Sequence, residues 1–101
     1  MTISKDEAKK LRQIGHTLKP VVSVGTHGVT DSVLLELNRA LNDHELIKIK
    51  IPGENREATL ETIKQKTPLE IIQQIGNVAL VFRPSAKPNP KLSNLMRNVA
   101  G

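Results

Sequence analysis

Thr67-Pro68-Leu69-Glu70-Ile71-Ile72-Gln73-Gln74-Ile75-Gly76-Asn77-Val78-Ala79-Leu80-Val81-Phe82-Arg83 supports two readings that lead to different folds. Thr67 and Glu70 stand three apart, with Pro68 between them at a first helical position, which is the pattern of a capping box. Against a helix, Ile71-Ile72 is β-branched, and Gly76-Asn77 is a two-residue turn between two strand-like runs, 70–75 and 78–83. A helix here would have only two turns before Gly76, so a hairpin is the stronger reading.

Working back from the hairpin, Leu46-Ile47-Lys48-Ile49-Lys50-Ile51 alternates with period two. Ile47, Ile49 and Ile51 face one way and Lys48 and Lys50 the other, so this strand has one covered face and one that is wet or meets an anion. Val21-Val22-Ser23-Val24, after the helix-ending Pro20, is a shorter buried strand. Three helical segments separate these runs. Ser4 and Glu7 form a capping box for a helix from Lys5, with Ala8, Leu11 and Ile14 on one face and Gly15 near its end. Thr30 or Asp31 caps a second helix over residues 31–43, directing Val33, Leu34, Leu37, Ala40 and Leu41 inward, with His44 just past its end. Asn55 caps a third over residues 56–66, directing Ala58, Leu60 and Ile63 inward. The order helix, strand, helix, strand, helix, hairpin predicts a single two-layer α/β domain. Its four-stranded mixed sheet is packed with helices, the early strands parallel and the last pair antiparallel.

The chain has 101 residues, no cysteine, 15 basic and 10 acidic side chains, and a net charge of +5. One domain accounts for that length. The absence of cysteine excludes disulfides and thiolate metal sites and fits a reducing cytoplasm. The polar N-terminus is unlike a signal peptide, and no apolar run is long enough to span a bilayer, so neither secretion nor a membrane partner is expected. The charge is uneven. Residues 1–20 carry five basic side chains against two acids, residues 84–101 carry Lys87, Lys91 and Arg97 with no acid, and the body between is close to neutral. Two positive ends on a neutral body suggest a polyanion-facing edge. On the first helix Lys5, Lys9, Arg12 and His16 fall on a single stripe opposite the apolar one. Phe82 is the only aromatic residue, which argues against stacking bases on rows of rings. Residues 86–101, rich in Lys, Pro, Asn and Ser, read as a loose basic tail on a domain of residues 1–85; Leu92, Leu95, Met96 and Val99 allow a short helix there if docked.

Gly25-Thr26-His27-Gly28 leaves a strand and opens a helix. Its glycines permit close approach of a ligand to the backbone, and the helix behind it offers free amides to a phosphate. The same loop also reads as a plain β-to-α turn that needs glycine. It is neither a Walker loop nor a dinucleotide fingerprint. His16, His27 and His44 stand in no metal-binding spacing, and no nucleophile elbow or paired-acid cluster is present, so no enzyme activity, cofactor, metal or small-molecule substrate is expected.

Composition and spacing stop at a basic α/β domain; a family resemblance goes further. His16-x-Leu18-Lys19-Pro20-Val21-Val22-x-x-Gly25-x-x-Gly28-Val29-Thr30, then Ala40-Leu41-x-x-His44-Glu45-Leu46-Ile47-Lys48-Ile49-Lys50-Ile51, then Ile75-Gly76 and Val81-Phe82-Arg83-Pro84, resemble the CRM (chloroplast RNA splicing and ribosome maturation) domain family. The nearest likeness is to its stand-alone bacterial YhbY-type members, over about residues 4–85. The resemblance implies an RNA-binding module with a sheet like that of the C-terminal domain of translation initiation factor three. It resolves residues 67–83 as the hairpin and implies association with ribosomal RNA in large-subunit precursors. It maps the family's glycine loop onto Gly25, Thr26, His27 and Gly28, and its basic helix surface onto Lys5, Lys9, Arg12 and Lys19. His16, Thr30, Lys48, Lys50 and Arg83 are further candidates for RNA contact. Thr26 and His27 stand where many members carry lysine, and Phe82 where tyrosine is common. A protein-interaction module, using the helix after the loop together with Leu92, Leu95 and Met96, is the competing expectation; DNA binding is disfavoured because no helix-turn-helix pair is spaced for a major groove.

Overall fold

The computed structural model describes residues 3–95. Its elements run α1 (Lys5–Gly15), β1 (Pro20–Ser23), α2 (Asp31–His44), β2 (Leu46–Lys50), α3 (Arg56–Lys66), β3 (Glu70–Ile75) and β4 (Val78–Phe82). The hairpin is present: Gly76 takes φ +58° in the turn, and β3 pairs antiparallel with β4. The sheet order is β1-β2-β4-β3, with β1 parallel to β2 and the other pairs antiparallel.

Period-two alternation sorts the strands onto two faces. Ile47, Ile49, Ala79, Val81 and Val22 meet Leu37 and Leu41 of α2 and Leu60 and Ile63 of α3. Full burial of each large aliphatic side chain contributes ~1.5–3 kcal/mol, so this face supplies most of the core. On the opposite face Leu46, Leu80 and Phe82 pack against Leu11 of α1, with Ile14, Leu18 and Ile72 around them. Helices therefore cover all of one face and part of the other. Gly15 explains how closely α1 approaches: a Cβ there would stand 2.6 Å from Leu80 Cδ2. That glycine serves close helix-to-sheet contact, and α1 is capped after it by His16 in ordinary helical conformation.

The caps are mostly as the sequence predicts. Ser4 Oγ accepts the amide of Glu7 at 3.1 Å, and the Glu7 carboxylate takes the Ser4 hydroxyl rather than its backbone N–H. Thr30 Oγ1 accepts the amide of Val33. Three details differ. Asn55 occupies the N-cap position of α3 without a side-chain cap; the neighbouring Arg56 instead donates to Asn77 Oδ1 at 2.6 Å and Gly53 O, tying α3 to the hairpin turn. Ala58 is exposed, and half-buried Thr59 takes its place toward the sheet. His44 is the last residue of α2, and the stop is made by Glu45 at φ 64°.

The segment after Pro84 was expected to be loose. Residues 85–95 lie against the body instead. Ser85 N and Ser93 Oγ donate to the Glu45 carboxylate, Asn94 Nδ2 donates to Leu46 O, and His44 Nδ1 lies 2.8 Å from Leu92 O. Leu95 packs beside Phe82 and Leu46. Met96, Arg97 and Val99 lie outside the described residues. Among the described residues no helix is long and apolar enough to cross a membrane, and no cluster of histidine and carboxylate side chains is arranged to hold a metal.

Candidate functional site

Because α1 covers only the Leu46–Leu80–Phe82 end of its sheet face, the rest of that face stays open and forms a groove. Lys9, Arg12 and His16, from the predicted stripe of α1, make one wall, opposite Gln73 and Ile75 of β3. An adjoining stretch, sharing His16, Gln73 and Ile75 with the first, is lined by Lys19, Pro20 and Lys48 with Val78 and Leu80 beneath, in a space of about 310 Å³. No carboxylate lines either stretch. Lys9, Arg12, Lys19 and Lys48 make no ion pair among the described residues. Uncompensated cations on a concave apolar surface concentrate positive potential there.

Pairing explains how the strands extend this track. Lys48 lies beside Pro20 and Lys50 beside Ser23 in the parallel β1–β2 ladder, so both lysines emerge on the α1 side of the sheet. Lys48 is half-buried and Lys50 exposed. Gly25 follows Ser23 by two residues, so the glycine loop starts roughly 7 Å beyond Lys50 at about 3.3 Å per strand residue. The loop and the α1 stripe are not adjacent: α1 packs on β2 and β3, whereas the loop stands at the far end of β1. Lys48 and Lys50 bridge the interval.

The loop itself is exposed at Gly25, Thr26 and His27. It closes as a turn, the Gly28 amide donating to Gly25 O at 3.1 Å, and Gly28 takes φ +75°, a conformation glycine adopts without a Cβ penalty. That bond engages one amide that the sequence reading offered to a phosphate, and Thr30 N–H is likewise held by Gly28 O. The amides of Thr26, His27, Val29, Asp31 and Ser32 have no partner among the described residues. These five N–H groups, three in the loop and two in the first turn of α2, form an anion seat open among the described residues. Thr30, a candidate contact, spends its hydroxyl oxygen on the α2 cap. Lys5 is exposed one turn before Lys9 on the same stripe, outside the groove proper.

Arg83, a further candidate, is engaged within the fold. It follows Phe82, so its side chain turns to the α2 side, away from Lys48 and Lys50. There its guanidinium donates to Asn38 Oδ1 at 2.7 Å, Asn38 O, Asn42 Oδ1, Thr67 Oγ1 and Pro68 O. Desolvation by burial pulls its pKa below the ordinary arginine value. These bonds join α2, the end of α3 and β4 and leave no free fork for a phosphate.

Gln73 and Ile75 were missed from the sequence. Counting by two from core-facing Ile71 puts Gln73 toward α3. The β3–β4 register breaks between Ile71 and Gln73, however, and Gln73 then pairs with Leu80 and Ile75 with Val78. That bulge turns both side chains into the groove.

The chain resembles several known proteins. The CRS1 / YhbY (CRM) domain matches residues 3–83. The chain is 44% identical over 100 residues to the "Probable RNA-binding protein PA4753" of Pseudomonas aeruginosa, covering 96% of each chain. It is 37% identical over 94 residues to a Haemophilus influenzae protein named "RNA-binding protein", covering 90% of this chain and 95% of the other. The solution structure of SAV1595 from Staphylococcus aureus superposes with a TM-score of 0.73 at 22% identity, covering 91% of this chain and 98% of that one, and shares the fold.

Proposed function

The chain belongs to the CRS1 / YhbY (CRM) domain family, and from that premise we propose that it is a non-enzymatic RNA-binding protein that acts in the cytoplasm on precursors of the large ribosomal subunit. The observation that carries this reading is a pair of adjoining groove stretches lined by Lys9, Arg12, Lys19 and Lys48, with no ion pair to these cations and no lining carboxylate among the described residues. Each cation set against a phosphate releases condensed counterions, which supplies affinity without sequence preference. Lys5 and Lys50 extend the track at its two ends. Where it reaches the loop, the amides of Thr26, His27 and the first turn of α2 donate to a further phosphate, and the Thr26 hydroxyl meets a 2′-OH. Backbone contacts of this kind select structured RNA by shape. The names of the Pseudomonas and Haemophilus relatives support RNA as the partner.

Crosslinking in cells followed by sequencing of the bound RNA, with gradient sedimentation of the protein, tests the proposal. Large-subunit ribosomal RNA among the crosslinks, and sedimentation with precursor particles that is lost on RNase treatment, is the expected result. Association that survives RNase and high salt would point instead to a protein partner.

A further inference from the structure

Gln73 has no role in a purely phosphate-binding groove. Its side chain lines both stretches of the groove, beside His16 and above Leu80 and Val78. It is half-buried, and its amide makes no hydrogen bond among the described residues. An amide offers two donors and two acceptors, and at Gln73 these stand accessible in the groove and are not held by the described residues. The β-bulge at Ile72 is what brings it here, since unbroken pairing would turn Gln73 beneath α3. Ile75 stands beside it at 67% exposure.

Resting on the RNA-binding reading, we propose that this part of the groove seats one unpaired nucleotide of a structured RNA, with the Gln73 amide hydrogen-bonded to the edge of its base. The space of about 310 Å³ lies at the small end of ligand sites. Its surroundings match the parts of a nucleotide. Val78 and the exposed Ile75 take the flat face of the base, Lys19 and Lys48 flank it for the phosphates, and Gln73 is the group that reads hydrogen-bonding atoms. A paired base presents its face to its stacked neighbours and cannot enter, so a bulged or looped nucleotide is the form selected. Affinity from phosphates and selection from one base are then separate functions of one groove.

Binding of the full chain to two RNA hairpins tests this, one a perfect stem and the other the same stem with a single bulged nucleotide, prepared with each of the four bases. The expected result is roughly tenfold tighter binding of at least one bulged stem, the discrimination a well-placed base contact supplies. Gln73→Ala and the near-isosteric Gln73→Glu should both erase that preference, leave perfect-stem affinity within about twofold for the alanine variant, and leave the melting temperature unchanged. Lys9→Ala with Arg12→Ala should weaken both stems alike. Equal binding of bulged and perfect stems by the wild type, or a preference that survives both Gln73 variants, would overturn the nucleotide seat while leaving RNA binding intact. Failure to bind either stem at low salt would overturn RNA binding itself.

Discussion

The hydroxyl of Ser93 donates to Glu45 Oε1 at 2.7 Å, joining two buried residues that lie 48 positions apart in the chain. Glu45 ends α2 at φ 64°, a conformation costly for a residue with a Cβ. Three further bonds hold it there: its amide to Leu41 O, its carbonyl to the Arg83 amide, and its Oε2 to the Ser85 amide. The α2–β2 corner and the docked segment at residues 85–95 therefore stabilise each other.

Ser93→Ala removes the donor to a buried carboxylate oxygen and should lower stability by ~1–3 kcal/mol. Urea unfolding should show a lower midpoint at an unchanged slope. Truncation after residue 85, which also strips Leu95 from Phe82, should lower the midpoint further. Wild-type midpoints for both variants would mean the segment is undocked in solution.

Arg83→Lys keeps the charge but loses the planar fork that reaches Asn38, Asn42 and Thr67 together. A loss on the order of 2 kcal/mol is expected, with RNA affinity at temperatures below the transition unchanged. Should affinity fall while stability holds, Arg83 contacts RNA after all.

Gly15→Ala gains about 1 kcal/mol of helix propensity and meets Leu80 side-chain atoms at 2.6 and 2.7 Å. Overpacking of a filled core costs ~1–3 kcal/mol, so the variant should be net less stable by about 1 kcal/mol in calorimetry. A rise in melting temperature would show that Leu80 shifts freely.

Gly25→Asp tests the loop more cleanly than a change at Gly28, where positive φ would add strain. Nothing lies within 4 Å of a Cβ at Gly25, so stability should stay within about 0.5 kcal/mol. RNA affinity should fall several-fold, because a carboxylate then faces the free amides. Undiminished affinity in a filter-binding assay would reduce the loop to a turn.

Lys9→Ala and Arg12→Ala should each reduce the slope of log affinity against log salt by about one unit, uniformly across RNA sequences. The double variant should lose about two. An unchanged slope would place the RNA away from α1.

Element order, the Ser4 and Thr30 caps, the Gly76 turn and the core stripes of α2 were legible in the sequence, as was the α1 cation stripe. Each is a signal of short range, written in spacings of three, four or two within a single element. The groove was only partly legible, because Lys48 and Lys50 alternate visibly whereas openness depends on how α1 seats on the sheet, where Gly15 meets Leu80. Gln73 was hidden because the bulge at Ile72 reverses the parity of every later β3 residue, and parity across a bulge is defined only by the partner strand. The engagement of Arg83 and Ser93 was hidden for a related reason: a hydrogen bond between residues about 45 positions apart leaves no periodicity behind. Local spacing thus determined what the elements are and where the charge lies. Tertiary pairing decided which polar side chains stay free to meet a ligand and which are consumed in holding the fold together.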